Sequence, residues 1–123
     1  MNQRHACGVG DRAALLGNKP ASLVALYESL ETTLRSWPGV EIVTRDRYAL
    51  FRTTRIFTDL VFMRDTLRLA IHLDHAVDDP MFFKVVHGER GRVAHVTRVQ
   101  SREELDGALS HVREAYRFAQ KDG

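Results

Sequence analysis

The chain reads as an α+β domain: an antiparallel sheet of about five strands, with an N-terminal and a C-terminal helix packed on one face. Three observations predict it. From Tyr48 to Asp74 the apolar pattern is interrupted only at Thr54-Arg55 and Arg64-Asp65. Breaks that short fit only tight hairpins, and tight hairpins make antiparallel neighbours. The other two observations are apolar stripes of helical spacing, one on each side of this meander.

Residues 1–18 carry three glycines and little periodicity, and read as a flexible arm that leaves 19–123 as one α+β domain. The first helix runs from Asn18 or Lys19 to Trp37, with Asn18 as N-cap and Pro20 in the first turn. Leu23, Leu26, Tyr27, Leu30, Leu34 and Trp37 recur at three- and four-residue steps, while Glu28 and Glu31 face away. Pro38-Gly39 ends it. Val40–Thr44 is a short strand candidate, joined through Arg45-Asp46-Arg47 to the meander of Tyr48–Thr53, Ile56–Met63 and Thr66–Asp74.

Within the meander, Leu67, Leu69, Ile71 and Leu73 share the core side, and Arg68, Ala70, His72 and Asp74 share the solvated side. Ile56–Met63 is apolar on both sides apart from Thr58 and Asp59, which predicts a mid-sheet position. After Asp79-Pro80, the run Met81–Val86 reads as one or two helical turns, with a strand as the alternative. Gly88–Gly91 is a turn, and Arg92–Gln100 alternates and is β-branched, hence a strand. Ser101 with Glu104 forms a capping box. The helix it opens carries Leu105, Ala108, Leu109, Val112, Tyr116 and Ala119 on one face and runs to about Gln120.

At 123 residues, 44% hydrophobic and 28% charged, the chain is one domain with the composition of a globular protein. No apolar run is long enough to span a membrane, and the N-terminus lacks an apolar signal segment, so a cytoplasmic protein with no membrane partner is expected. The net charge of +2 is mild, but its distribution is uneven. Arg45, Arg47, Arg52, Arg55, Arg64 and Arg68 outnumber Asp46, Asp59 and Asp65 around the meander, whereas His72–Asp79 is acidic. The single cysteine, Cys7, makes no internal disulfide and alone holds no metal.

Three segments carry a resemblance. Leu50-Phe51-Arg52 through Arg55-Ile56-Phe57-Thr58-Asp59-Leu60 looks like an aromatic, basic residue, then Arg-x-Phe-x-acid-Leu pattern. Gly91–Val99 looks like a glycine-led strand carrying a histidine, His95, and Ser101–Tyr116 like a closing helix that ends in Ala115-Tyr116. In these segments the chain resembles the domain-of-unknown-function family numbered 5655, small stand-alone bacterial proteins with other members fused to predicted nuclease or transport-labelled proteins. The resemblance implies a shared fold and no specified activity. Some stand-alone relatives begin with a zinc-ribbon-like element, and Asn2–Gly8, with His5 and Cys7, looks like its second half. The first Cys pair is missing, which suggests a lost finger or a start codon placed too far downstream. Two ligands do not make a structural zinc site, so no zinc, and no cofactor elsewhere, is expected.

The candidate ligand-binding residues are Arg52, Arg55, Asp59, Arg68, His72 and His95. Arginine forks suit phosphate or carboxylate, although the favoured reading of Arg52 and Arg55 is a surface that covers apolar area with Asp59 as loose partner. His72-x-Asp74 with His95 resembles a two-histidine, one-carboxylate metal triad, but the spacing is weak and the barrel that usually hosts it needs more strands. His95 points outward to meet His72 or Arg68, or inward as a satisfied core histidine; both fit the pattern. Tyr48, Phe51 and Phe57 suit a base-stacking platform or, as strand aromatics usually do, the core. No phosphate-binding loop, nucleophile elbow or metalloprotease motif is present.

These features predict a non-enzymatic binding or accessory domain whose sheet face, around Arg52, Arg55, Arg68 and His95, engages nucleic acid or another anionic partner. The alternatives are a small enzyme using His95 or His72 in a pocket near His75–Glu89, and a structural homodimer.

Overall fold

The fold is that of a computed structural model that describes residues 11–122. Leu67, Leu69, Ile71 and Leu73 are completely buried while Arg68 between them is exposed, so alternation along one strand decides which side of the sheet the helices cover. The elements are α1 (described over residues 11–16), α2 (Ala21–Arg35), β1 (Glu41–Thr44), β2 (Tyr48–Arg52), β3 (Ile56–Phe62), β4 (Leu67–Leu73), β5 (Phe82–His87), β6 (Val93–Val99) and α3 (Arg102–Asp122). They build one antiparallel sheet of six strands in the order β1-β2-β3-β4-β6-β5, with α2 and α3 packed on the same face.

The sixth strand is β5, where helical turns were the first expectation. An edge strand with a bulge between Phe82 and Lys84 shows no period-two pattern, because only Phe82 is buried. Its β-branched Val85 and Val86 pair with His95 and Ala94 of β6, which would otherwise be left as an open edge.

The N-terminal region also departs from expectation. Residues 11–16, expected within a flexible arm, are helical and bury Leu15 completely. Arg12 clamps this helix to α2: its guanidinium donates to the Glu31 carboxylate at 2.8 and 3.0 Å, and the Tyr27 hydroxyl adds a bond of 3.1 Å. Burial alone would raise the Glu31 pKa, but these donors outweigh it and hold the carboxyl below its ordinary value. Asn18 is not the N-cap of α2. It sits in the left-handed region at φ 61° between the two helices, and Pro20 takes the cap position with no side-chain bond. The expected zinc-ribbon remnant around His5 and Cys7 lies outside the described residues.

α3 starts at its capping box, with the return bond made to Gln100 rather than to Ser101 itself. Ser101 Oγ accepts from the Glu104 N–H at 3.1 Å, and the Glu104 carboxylate accepts from the Gln100 N–H at 2.7 Å. Leu105, Ala108, Val112, Ala115 and Ala119 are buried against the sheet. Near its end, Tyr116 packs on Trp37 and Phe57 and donates its hydroxyl to the Pro38 carbonyl at 2.6 Å. Phe57 reaches that cluster because it is the extra residue of a bulge opposite Phe51 and Arg52, which turns its ring to the helix side.

Candidate anion-binding face

The helices cover one side of the sheet only. On the other side Leu50, Val61, Ala70, Ala94 and Val96 are half-buried, with no described element above them. Strand pairing sets these residues in rows across the sheet. One row runs Tyr48, Val61, Arg68, Arg98 through β2, β3, β4 and β6. Phe83, at the β5 bulge, closes its far end with the Arg98 guanidinium stacked over its ring at 4.0 Å. The next row runs Leu50, Asp59, Ala70, Val96, Lys84, and a third runs His72, Ala94, Val86.

Arg68 and Arg98 are direct cross-strand partners, and among the described residues neither has a carboxylate at ion-pair distance. Like charges placed opposite each other in a sheet are destabilising by a few tenths of a kcal/mol to about 1 kcal/mol. Beside them, Ala70 and Val96 floor a depression of about 250 Å³ walled by Arg68, Lys84, Phe83 and Asp59. A second cleft, about 450 Å³, adjoins it where His72 faces Arg90 and Arg92 of the β5–β6 turn. His72 Nε2 lies 3.1 Å from Asp59 Oδ2, which fixes the ring and directs Nδ1 away from that carboxylate.

The sequence candidates divide between the two faces. Arg68, His72 and Asp59 stand together on the open side. Arg52 is on that side too, at its margin, with Nε 3.8 Å from Glu41. Arg55 is not. It lies at the β2–β3 hairpin over the Phe118 ring of α3, at 4.1 Å, and so belongs to the helix side. His95 is completely buried on the helix side, because it pairs with Ile71 and shares that residue's direction into the core. Its Nδ1–H donates to the Ile71 carbonyl at 3.3 Å, and its Nε2 accepts from the Val77 N–H at 2.9 Å. Both ring nitrogens are therefore used by a neutral imidazole. Burial lowers its pKa by disfavouring the charged ring, and outweighs the backbone bonds to Ile71 and Val93 that act the other way.

The metal-triad arrangement of His72, Asp74 and His95 is not assembled. Asp74 turns to His75 at 2.6 Å, and His95 lies across the sheet from His72. Among the described residues, no three His, Cys, Asp or Glu side chains are grouped to hold a metal ion. The pocket near His75–Glu89 contains His72 without Asp74 or His95; its other ionisable lining residues are Glu89, Arg90 and Arg92. Asp79 instead starts β5: it accepts from the Met81 N–H at 3.0 Å and bonds His111 at 3.0 Å, and the two interactions, the backbone bond first, lower its pKa. Of the aromatics weighed as a stacking platform, Phe51 and Phe57 are core, and Tyr48 is on the open face.

Sequence reasoning missed Phe83, Lys84, Arg90, Arg92 and Arg98. The alternation of β6 puts Arg92, Ala94, Val96 and Arg98 on the side opposite Val93, His95, Thr97 and Val99, so that half of the face was readable. Phe83 and Lys84 carried no signal because β5 was not identified as a strand.

Among the described residues no helix is long and apolar enough to cross a membrane. A family model described as a domain of unknown function (DUF5655) matches residues 13–119. No curated protein and no solved structure matches the chain.

Proposed function

Because the chain belongs to the DUF5655 family, whose description names no activity, its role has to come from its surface, and we propose that it is a non-enzymatic accessory domain that binds single-stranded nucleic acid across the open sheet face. The observation that carries this reading is the Arg68–Arg98 pair. Two guanidinium groups on adjacent strands, without a carboxylate partner, lower the stability of the isolated domain. An anion laid between them reverses that penalty. The arginine fork suits a phosphate because it offers two parallel donors.

The rest of the row suits a strand rather than a duplex. Tyr48 and Phe83 flank the arginines and are 38% and 46% exposed, large for aromatic side chains in a sheet. They stand about four strand spacings apart, ~19 Å; Tyr48 offers a ring on which an unpaired base stacks, while one face of Phe83 already carries the Arg98 guanidinium. Between them the surface is concave over Ala70 and Val96, and Lys84 adds a third cation.

The test is binding of short single-stranded DNA and RNA across a salt series. Each phosphate neutralised on a single strand contributes about 0.7 to the slope of log K against log salt. The double variant Arg68→Ala, Arg98→Ala is expected to weaken binding and to flatten that slope by about 1.4. Affinity indifferent to salt, or no affinity at low salt, contradicts the reading. A second reading, self-association, is favoured by the exposed Val85 and Val86 on the β5 edge strand. Light scattering over a concentration series separates it from the first.

A further inference from the structure

The cleft at the end of the open face is shaped for a different contact from the rest of the groove. Its floor is Ala94, which stands between His72 on β4 and Val86 on β5 in the strand register. A residue with no side chain beyond Cβ leaves the space between its two neighbours empty, and that space is the cleft of about 450 Å³. Here the turn between β5 and β6 rises as an end wall.

That turn is held closed. The Gly88 N–H donates to the Arg92 carbonyl at 2.7 Å, and the Arg92 N–H donates to the Glu89 carbonyl at 3.1 Å. It carries Arg90 and Arg92 into the cleft lining, and neither has an ion-pair partner among the described residues. Arg90 occupies the left-handed region (φ 59°, ψ 33°), where glycine or asparagine is the unstrained choice. Opposite them, His72 is held by Asp59 at 3.1 Å, leaving Nδ1 for a ligand. Glu89 also lines the cleft and subtracts one charge from the two arginines.

We infer that this cleft binds a phosphomonoester, with Arg90 and Arg92 as the charged donors and the His72 imidazole as the third contact. The inference rests on the proposed reading of the open face and extends it: the groove takes phosphodiesters, and the walled end takes the terminal phosphate. A monoester carries more charge than a diester and more free oxygens. It therefore gains most where donors converge from two sides, as they do between a strand histidine and a turn. A diester that must pass onward meets the end wall.

The experiment uses the full chain and two pairs of probes: adenosine 5′-monophosphate against adenosine, and one short oligonucleotide with and without a 5′-phosphate. Calorimetry supplies affinities, and amide chemical shifts locate the site. The phosphate group is expected to raise affinity at least tenfold in one pair or both, with shifts centred on His72, Ala94 and the 88–92 turn. Arg92→Ala and Arg90→Gly are each expected to remove most of that gain. Arg90→Gly relieves the left-handed backbone, so loss of binding there is not loss of folding, and the thermal midpoint checks this directly. Arg68→Ala with Arg98→Ala is expected to leave the gain of the nucleotide pair intact, since neither residue lines the cleft. A gain confined to the oligonucleotide pair assigns the site to strand ends, and a gain confined to the nucleotide pair assigns it to free nucleotides. Equal affinity with and without the phosphate in both pairs overturns the inference, even if the unphosphorylated oligonucleotide binds the groove. Conversely, a phosphate gain for the nucleotide with no salt-dependent oligonucleotide binding supports the cleft and rejects the proposed groove.

Discussion

His72 and His95 sit on adjacent strands of one sheet, and they have opposite fates. His95 faces the helices, where both ring nitrogens are bonded to backbone and its charged form is disfavoured. His72 faces the uncovered side, bonded to Asp59 through one nitrogen, and lines a cleft. The two faces differ in the same way. On the helix side the polar groups Thr58, Thr66, His95 and Glu31 are buried and have partners. On the open side Arg68, Arg98, Arg90 and Arg92 have no ion-pair partner among the described residues, and two of them oppose each other. A satisfied polar group stabilises a fold, whereas a face with uncompensated like charges is better suited to a ligand.

That contrast predicts a graded series of effects. The largest belongs to His95→Ala. It leaves the Val77 N–H without its acceptor and opens a cavity beside Phe82, whose ring centre is 4.9 Å away. A loss of about 3 kcal/mol in denaturant unfolding is expected. Arg12→Ala comes next. It strands a nearly buried Glu31 carboxylate, but Arg12 itself is partly exposed and water re-solvates the site, so a loss of about 1–3 kcal/mol is expected in the same assay.

Acid should act on the helix side in two stages. Because the folded pKa of His95 is lowered, the unfolded chain takes up the proton first. The stability His95 contributes is complete above an ordinary histidine pKa of about 6.5 and falls away as the pH drops through and below it. Glu31, also lowered, adds a second loss once the pH falls below an ordinary glutamate value of about 4.3. Unfolding midpoints followed against pH check both, and His95→Gln should flatten the first stage only. A first stage unchanged by that substitution would assign it elsewhere.

The smallest stability effect is expected on the open side. Arg68→Thr removes one member of the like-charge pair and should raise stability by a few tenths of a kcal/mol. A loss above about 1 kcal/mol would mean that Arg68 supports the fold, since surface substitutions away from such features are usually within ±0.5 kcal/mol.

The helix side was far more legible in the sequence than the open side. Leu67, Leu69, Ile71 and Leu73 announce their face by alternation, and Ser101 with Glu104 announces where α3 starts. Arg68 and His72 were found because they share that alternation. Residues 11–16 were not, since a helix of one or two turns with Leu15 as its buried anchor shows no stripe. β5 escaped because an edge strand buries one residue and its bulge breaks the period. The second half of the site went with it, and so did the closeness of Arg98 to Arg68, which depends on β6 inserting beside β4 rather than following β5 outward. Direction was the other gap: nothing local in the run Ala94-His95-Val96 says which strand it pairs with, and hence that His95 lines up with Ile71.

The most direct test compares two charge-matched double variants in one salt-titrated oligonucleotide assay: Arg68→Ala with Arg98→Ala on the open face, and Arg113→Ala with Arg117→Ala on the exposed side of α3. The open-face pair should lose most of the affinity and flatten the salt slope, while the α3 pair stays close to the unsubstituted protein. Equal losses for the two pairs, or a larger loss for the α3 pair, would contradict the assignment of binding to the uncovered side of the sheet.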